Sequence, residues 1–442
     1  MAPGAAIIAG PTPASRPVPA PIAPLRIAAY TVTSAAGAGK AALHAALRAG
    51  RSALTPNDFG PTPLATWIGR VAGLEAAPLP RPLAAWECRN NRLAWLGLNG
   101  DAFIDAVHAA RERHGAARIA VVLGTSTSSI GATEDAYRHL DGEGGFPADN
   151  RNPHVHTPHS LASFVQEALD LAGPSVTVST ACSSSAKVFA TAERMLRLGL
   201  VDAAVVGGVD TLCGSVLFGF NALQLVSAEP CRPFDAQRSG ISIGEAAGFA
   251  LLERADDGRG RLRAVAPSQR SAAVVGAARR PAGLYLLGYG ESSDAHHMST
   301  PHPEGLGAER ALDDALARAG IDAAAVDHIN LHGTASAKND EVEAALVGRR
   351  FPATTHASST KGITGHTLGA AGIVEAAASL LAIEHGLRPG TVNTRVLDPA
   401  CGPQVRIETA HAPVRIALSN SFGFGGNNCV LVFGDTGAGG WR

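Results

Sequence analysis

Short apolar runs rich in valine and isoleucine alternate along this chain with alanine-rich stretches of helical spacing. That alternation constrains the fold more than any other feature. The segments "PLRIAAYTVTS", "ARIAVVLGTS", "PSVTVSTAC", "DAAVVGGVD", "AGFALLE", "DHINLHG", "RIALSNSFGF" and "NCVLVFGD" read as buried strands, because near-continuous apolar runs suit sheets covered on both faces. Between them, "SLASFVQEALDLAG" and "GLGAERALDDALARAG" carry apolar residues at helical spacing and end in glycine, a helix stop. The class is therefore α/β, with sheets covered by helices on both faces.

The rhythm breaks at "ADDGRGRLRAVAPSQRSAAVVGAARRPAG", rich in Arg, Gly and Pro, which reads as a surface connection between two halves. The chain then divides into a flexible Pro/Ala-rich extension over 1–24, a half over 25–260 and a half over 261–442. With 442 residues, 46% of them hydrophobic, there is ample material for a buried core. A net charge of -1 offers no basic surplus for nucleic acid. No eighteen apolar residues run together without charge, so no membrane span is expected. The six cysteines are scattered with no C-x-x-C pair. This argues against a disulfide framework or thiolate zinc site and for a reducing, cytoplasmic location.

The stretch "STACSSSAK" carries the first chemical candidate, Cys182. The preceding "SVTV" has strand alternation, and Val188, Phe189, Ala192, Met195 and Leu196 after it share one helical face. Cys182 therefore stands at a helix N-terminus, where unpaired backbone N–H groups favour a thiolate and could hold an oxyanion. In isolation such a cysteine is more often a small buried filler.

A nucleophile needs partners, and three glycine-rich loops supply them. "HINLHGTASAKND" places His332 just past a strand, "STKGITGHTLGAAG" places Lys361 and His366 before an apolar helix, and "SNSFGFGGNN" is a tight turn. A single loop histidine is about as often a capping residue as a catalytic one; two such histidines shift the balance. Only four lysines occur, Lys40, Lys187, Lys338 and Lys361. Lys361 is the one chosen for a role beside His366, and Lys187 reads as helix surface. The "GAGK" at Gly37–Lys40 lacks the flanking residues of a phosphate loop, having Ser34 and Ala41 instead. The histidines of "HVHTPH" and "HHMSTPH" read as loop residues rather than metal ligands, so no metal site is assigned.

In order, "TACSSS", "PFDAQRSGISIGEAAG", "HGTASAKND", "KGITGHTLGAAG" and "NSFGFGGNN" resemble the β-ketoacyl synthase family, the condensing enzymes of fatty-acid and polyketide synthesis, from about residue 26 to 434. The resemblance implies a thiolase-like fold of two duplicated α/β halves in a layered αβαβα arrangement, and the elongating, Cys-His-His type. Cys182 would then take the acyl chain, and His332 and His366 would donate hydrogen bonds to the thioester oxygen of malonyl-carrier protein. Lys361 would orient His366 and its loop, with Glu375 paired to it. Phe424 matches a gating aromatic whose N–H joins that of Cys182 in an oxyanion hole. Thr334 and Ser336 match positions that hold the phosphopantetheine arm, and Asp340 and Glu343 match acidic supports of the histidine loop. No cofactor is implied beyond the arm of an acyl carrier protein, and the implied assembly is a homodimer or a heterodimer with a ketosynthase-like subunit.

Departures from the pattern are Ser239, Asn427, Gly362 and the pair Thr127 and Ser128, which align near the mouth of the acyl pocket. "STACSSSAKVFATAERML" and "GISIGEAAGFALLE" are similar to synthases of aryl-polyene pathways. Two other readings stay open: a chain-length-factor-like partner, which typically lacks the nucleophile, and a cysteine acyl hydrolase.

Overall fold

The computed structural model describes residues 17–255 and 283–435. Most of the 1–24 extension, the interrupting stretch near 255–283 and the 260/261 boundary lie outside the described residues. The described end of the extension is anchored, the Ile22 N–H donating to the Arg318 carbonyl at 2.9 Å.

Ten strands build the central sheet system: β1 (Leu25–Ser34), β2 (Ile119–Gly124), β3 (Ser175–Val178), β4 (Ala203–Asp210), β5 (Ala246–Arg254), β6 (Leu284–Ser293), β7 (His328–Asn330), β8 (His356–Ser358), β9 (Ile416–Gly423) and β10 (Asn427–Asp435). Their spatial order is β8-β7-β9-β10-β6-β1-β5-β4-β2-β3, with the two-residue strand Gly37–Ala38 added to β1. Numbered within each half, both halves follow the same order, third-second-fourth-fifth-first. The pairing senses also repeat: third, second and fourth strands are parallel, and the fifth runs antiparallel between the fourth and the first. Even the irregularity repeats, since β1 shifts register at Ile27/Ala29 and β6 at Leu286/Gly288. A duplication that no residue pattern discloses is plain in the topology.

Four helices matter to the site: α1 (Ser184–Arg197), α2 (Leu306–Ala319), α3 (Ala337–Arg350) and α4 (Ala371–His385). The largest core cluster joins α1 and α4 to residues of both half-sheets, among them Val122, Val206, Leu252, Ala417 and Phe433. Separate clusters lie on the outer face of each half-sheet, one under Phe103 and Phe164 and one under α2 and α3. Five layers result: helices, half-sheet, two central helices, half-sheet, helices. From Ala371 to Ile383 every residue of α4 is buried, as an almost uniformly apolar helix requires. The stretch Leu368–His385 has the length and apolarity of a membrane span, but 89% of it is buried inside the protein.

β6 has no counterpart among the expected strands. Its "LYLLGYGESS" is broken by Gly288 and Gly290, which weaken a strand pattern. Both glycines allow backbone contact with α2: a Cβ on Gly290 would lie 1.8 Å from the Ala311 carbonyl oxygen, and one on Gly288 2.4 Å from that of Ala315.

Candidate active site

The nucleophile candidate sits where β3 turns into α1. Ala181 takes a left-handed φ of 53°, a strained geometry for a residue with a Cβ. The serines that follow hold the turn, Ser183 Oγ donating to the Thr180 carbonyl at 2.9 Å and the Thr180 N–H to Ser184 Oγ at 2.9 Å. Cys182 thus precedes the first turn of a 14-residue helix, as the spacing predicts. Burial overrides the helix terminus, however. The thiol is pushed up to about 11 by desolvation, against smaller downward pulls from the Lys361 ammonium and the Phe424 backbone N–H. The resting group is a thiol, contrary to the thiolate expected from helix position alone.

His366 reaches the thiol directly, Nε2 lying 3.0 Å from Cys182 Sγ. The backbone N–H of Leu368 donates to His366 Nδ1 at 3.2 Å. With Nδ1 occupied as an acceptor, the ring proton belongs on Nε2, aimed into the site. His332 is set the same way from the other side. Its Nδ1 faces the Lys361 ammonium at 3.4 Å, so its proton also falls on Nε2. The two rings meet edge to face, centroids 5.4 Å apart. Burial, reinforced by the Lys361 charge, holds both imidazoles well below the usual histidine value. Two neutral N–H donors therefore converge beside one thiol. Among the described residues, Cys182, His332 and His366 are the one group of three whose ligating atoms lie within 4.8 Å of one another. Protons on both Nε2 atoms make the trio a set of hydrogen-bond donors rather than of metal-ligand lone pairs.

Lys361 is fully buried: its carbonyl holds the His366 loop by accepting the Gly365 N–H at 2.9 Å, as expected, but its ammonium serves His332 rather than the His366 ring. Its ammonium donates to the His332 carbonyl at 2.5 Å and pairs with the Glu375 carboxylate on α4. It makes no hydrogen bond to the ring of His366, which takes its orientation from the Leu368 N–H. Burial pushes Glu375 up to about 7, with Lys361 opposing the rise.

The His332 loop hangs on two buried carboxylates, as the family resemblance implies. Glu343 accepts the N–H groups of His332 and Gly333, each at 2.8 Å, and the Asn420 amide at 3.0 Å. Asp340 accepts those of Phe234, Thr334 and Ala335 at 2.7, 2.9 and 3.1 Å. Thr334 and Ser336 hydroxyls lie 2.9 Å apart beside it. Across the site, Phe424 is half-buried, its ring 5.5 Å from that of Phe220. Its backbone N–H points at Cys182, and the following Gly425 and Gly426 hold φ of 75° and 72°.

Sequence reasoning missed several supports. Lys187 is not free helix surface: its ammonium binds Asn427 Oδ1 at 3.2 Å, giving that unusual asparagine a partner. Gly362 stands where a side chain would strike Val392, its Cβ 2.2 Å from the carbonyl oxygen. The Ser239 hydroxyl pairs with Ser227 at 2.8 Å. The Thr127 and Ser128 hydroxyls are both engaged internally, with Asp210 and the Thr157 carbonyl. At Gly37–Lys40 the helix N–H of Lys40 is taken by Asp101 at 2.9 Å, a carboxylate where a phosphate loop would hold its ligand. His156 and His159 bind Thr133 and Thr177 separately, and His154 packs on Trp86. All six cysteines are free.

Residues 99–258 match the family model "Beta-ketoacyl synthase, N-terminal domain", and residues 285–395 match "Beta-ketoacyl synthase, C-terminal domain". The chain belongs to the β-ketoacyl synthase family: it is a condensing acyltransferase with the thiolase-like fold. It is 34% identical to Nodulation protein E of Rhizobium meliloti (strain 1021) over 326 residues, 72% of this chain and 76% of the relative. It is 32% identical to 3-oxoacyl-[acyl-carrier-protein] synthase 2 of Staphylococcus aureus over 328 residues, 72% and 77% of the two chains. The solved complex of the ketosynthase ApeO with its chain length factor ApeC, from Xenorhabdus doucetiae, aligns with a TM-score of 0.80 at 35% identity. That alignment covers 93% of this chain and 98% of the matched one.

Proposed function

We propose that Cys182 is the nucleophile that stores an acyl chain, and that His332 and His366 catalyse decarboxylative condensation of that chain with malonyl-carrier protein. The observation that carries this reading is the pair of neutral Nε2–H donors converging on one thiol. In the first step Cys182 sulfur attacks the acyl thioester. The Cys182 S–acyl bond forms, the carrier's S–acyl bond breaks, and the thiol proton passes to the departing pantetheine sulfur. The N–H groups of Cys182 and Phe424 hold the oxyanion.

In the second step malonyl-carrier protein enters with its thioester oxygen between the two imidazoles. The bond to the carboxylate breaks, CO₂ leaves, and its electron pair becomes an enolate held by both Nε2–H groups. Neutral donors suit this task, because an imidazolium would tend to protonate the carbanion. The enolate carbon attacks the acyl carbonyl, the C–S bond to Cys182 breaks, and the departing thiolate takes a proton from water, restoring the buried thiol. The chemistry needs only the phosphopantetheine arm, which Thr334 and Ser336 would receive.

The chain works with a discrete acyl carrier protein, in the cytoplasm, and pairs with a second ketosynthase-like subunit. The similarity to ApeO, solved with a chain length factor, supports that pairing, and β3, the half-buried edge strand leading into Cys182, supplies the surface. The intact trio favours the active member of such a pair. Polyene is the chain class we assign, on the two stretches similar to aryl-polyene synthases. The test is intact-mass analysis after mixing with a panel of acyl-carrier proteins, with Cys182→Ala alongside. An acyl adduct on the unmodified chain alone is expected; no adduct from any acyl group, with the partner subunit supplied, would overturn the reading.

A further inference from the structure

One fully buried carboxylate outside the trio collects an unusual number of donors. Asp210 closes β4 with its side chain between two loops. From the loop after β2 it accepts Thr125 Oγ1 at 2.5 Å, the Ser126 N–H at 2.8 Å, the Thr127 N–H at 2.9 Å and Thr127 Oγ1 at 2.7 Å. From the turn after His366 it accepts the Gly369 N–H at 2.6 Å. That amide is the neighbour of the Leu368 N–H, which sets the proton of His366 on Nε2.

Both loops need holding. Ser128 and Leu368 each sit at positive φ, 45° and 55°, a conformation that persists in residues with a Cβ only where the surroundings enforce it. The loops also touch: a Cβ on Gly369 would fall 2.5 Å from the Ser126 nitrogen. Neither loop can shift without moving the carboxylate that pins the other.

We propose that Asp210 is a positioning residue that couples the loop 125–128 to the His366 turn, so that holding that loop and aiming the His366 donor are one adjustment. The proposal rests on the condensing mechanism above and adds a residue to it. Thr127 then acts on the His366 turn through its bonds to Asp210.

Asp210→Asn keeps the shape but turns one acceptor into a donor facing donors. Thr127→Val removes one bond, from a hydroxyl that contacts Asp210. Hydrogen exchange, Cys182 acylation and malonyl decarboxylation are measured on the full chain and both variants, each with the partner subunit supplied. Asp210→Asn is expected to raise exchange together at 125–129 and 367–370. It should also slow acylation and decarboxylation by roughly tenfold or more, as a displaced catalytic group does, with folded content unchanged by circular dichroism. Thr127→Val is expected to raise exchange at both segments to a smaller extent and to slow decarboxylation by less than Asp210→Asn does.

Should Asp210→Asn fail to fold, Thr127→Val decides, because exchange confined to 125–129 would overturn the coupling. Both turnover rates unchanged in folded Asp210→Asn would overturn the proposal alone. A wild-type chain that takes no acyl group with its partner subunit supplied would remove the condensing mechanism and the proposal with it.

Discussion

Lys361→Met tests the assignment of the lysine to His332. The substitution removes the ammonium that faces His332 Nδ1 at 3.4 Å and its carbonyl at 2.5 Å, and leaves Glu375 without its cation. Glu375, near 7 even with the lysine present, then takes up a proton at neutral pH, so the fold is spared a bare buried charge. The His332 ring keeps no donor at Nδ1, and its proton is free to leave Nε2. Loss of one charge-assisted hydrogen bond corresponds to about 1.5–3 kcal/mol. If that difference appears in the transition state, decarboxylation slows by roughly ten- to a hundredfold. The same ammonium pulls the Cys182 thiol downward, which would confuse an assay of condensation. The comparison is therefore made in a Cys182→Ala background, by CO₂ release from malonyl-carrier protein. Rates within twofold of each other in Cys182→Ala and Lys361→Met/Cys182→Ala would refute the assignment.

Two further outcomes follow from packing and burial. Gly290→Ala places a methyl against the Ala311 carbonyl of α2, so the strand and helix must separate; a loss of about 1–3 kcal/mol or more is expected in denaturant unfolding. His328 is held down to about 3 and His356 to about 4, by desolvation first in each case. Their folded values lie below the unfolded one, so the unfolded chain binds more protons as pH falls from 6.5, and stability declines through that window toward 3. Unfolding midpoints measured from pH 7 to pH 5 should fall, and His328→Leu should flatten the slope; an unchanged slope would contradict the account.

The parts of this molecule written in the sequence are those with a local signature. Eight of the ten main strands announce themselves through apolar runs, and Cys182 through a strand, small residues and a helical face. The two histidines, Glu343 and Asp340 are carried by motif. β6 was hidden because Gly288 and Gly290, needed for contact with α2, interrupt the pattern that marks a strand. β8, three residues long, offers no periodicity to read. The ammonium of Lys361 reaches across to the loop after β7, a partner 29 positions away that its closeness to His366 in the chain does not disclose. Asp210 carried no signal at all: its role depends on two loops more than 150 residues apart meeting at one carboxylate. Likewise the thiol's upward shift is a property of depth, which no string of neighbours encodes.

The central claim is that one thiol and two neutral imidazoles join an acyl chain to a decarboxylated malonyl unit. The most direct measurement is a single turnover of chain preloaded as acyl-Cys182, with its partner subunit present, mixed with malonyl-carrier protein. The mass adduct, the CO₂ released and the carrier-bound product are followed together. The account predicts that the adduct disappears with one CO₂ and one 3-ketoacyl-carrier product for each acyl group lost. Loss of the adduct as free acid, with no carbon–carbon bond formed, would contradict it and make the protein a hydrolase.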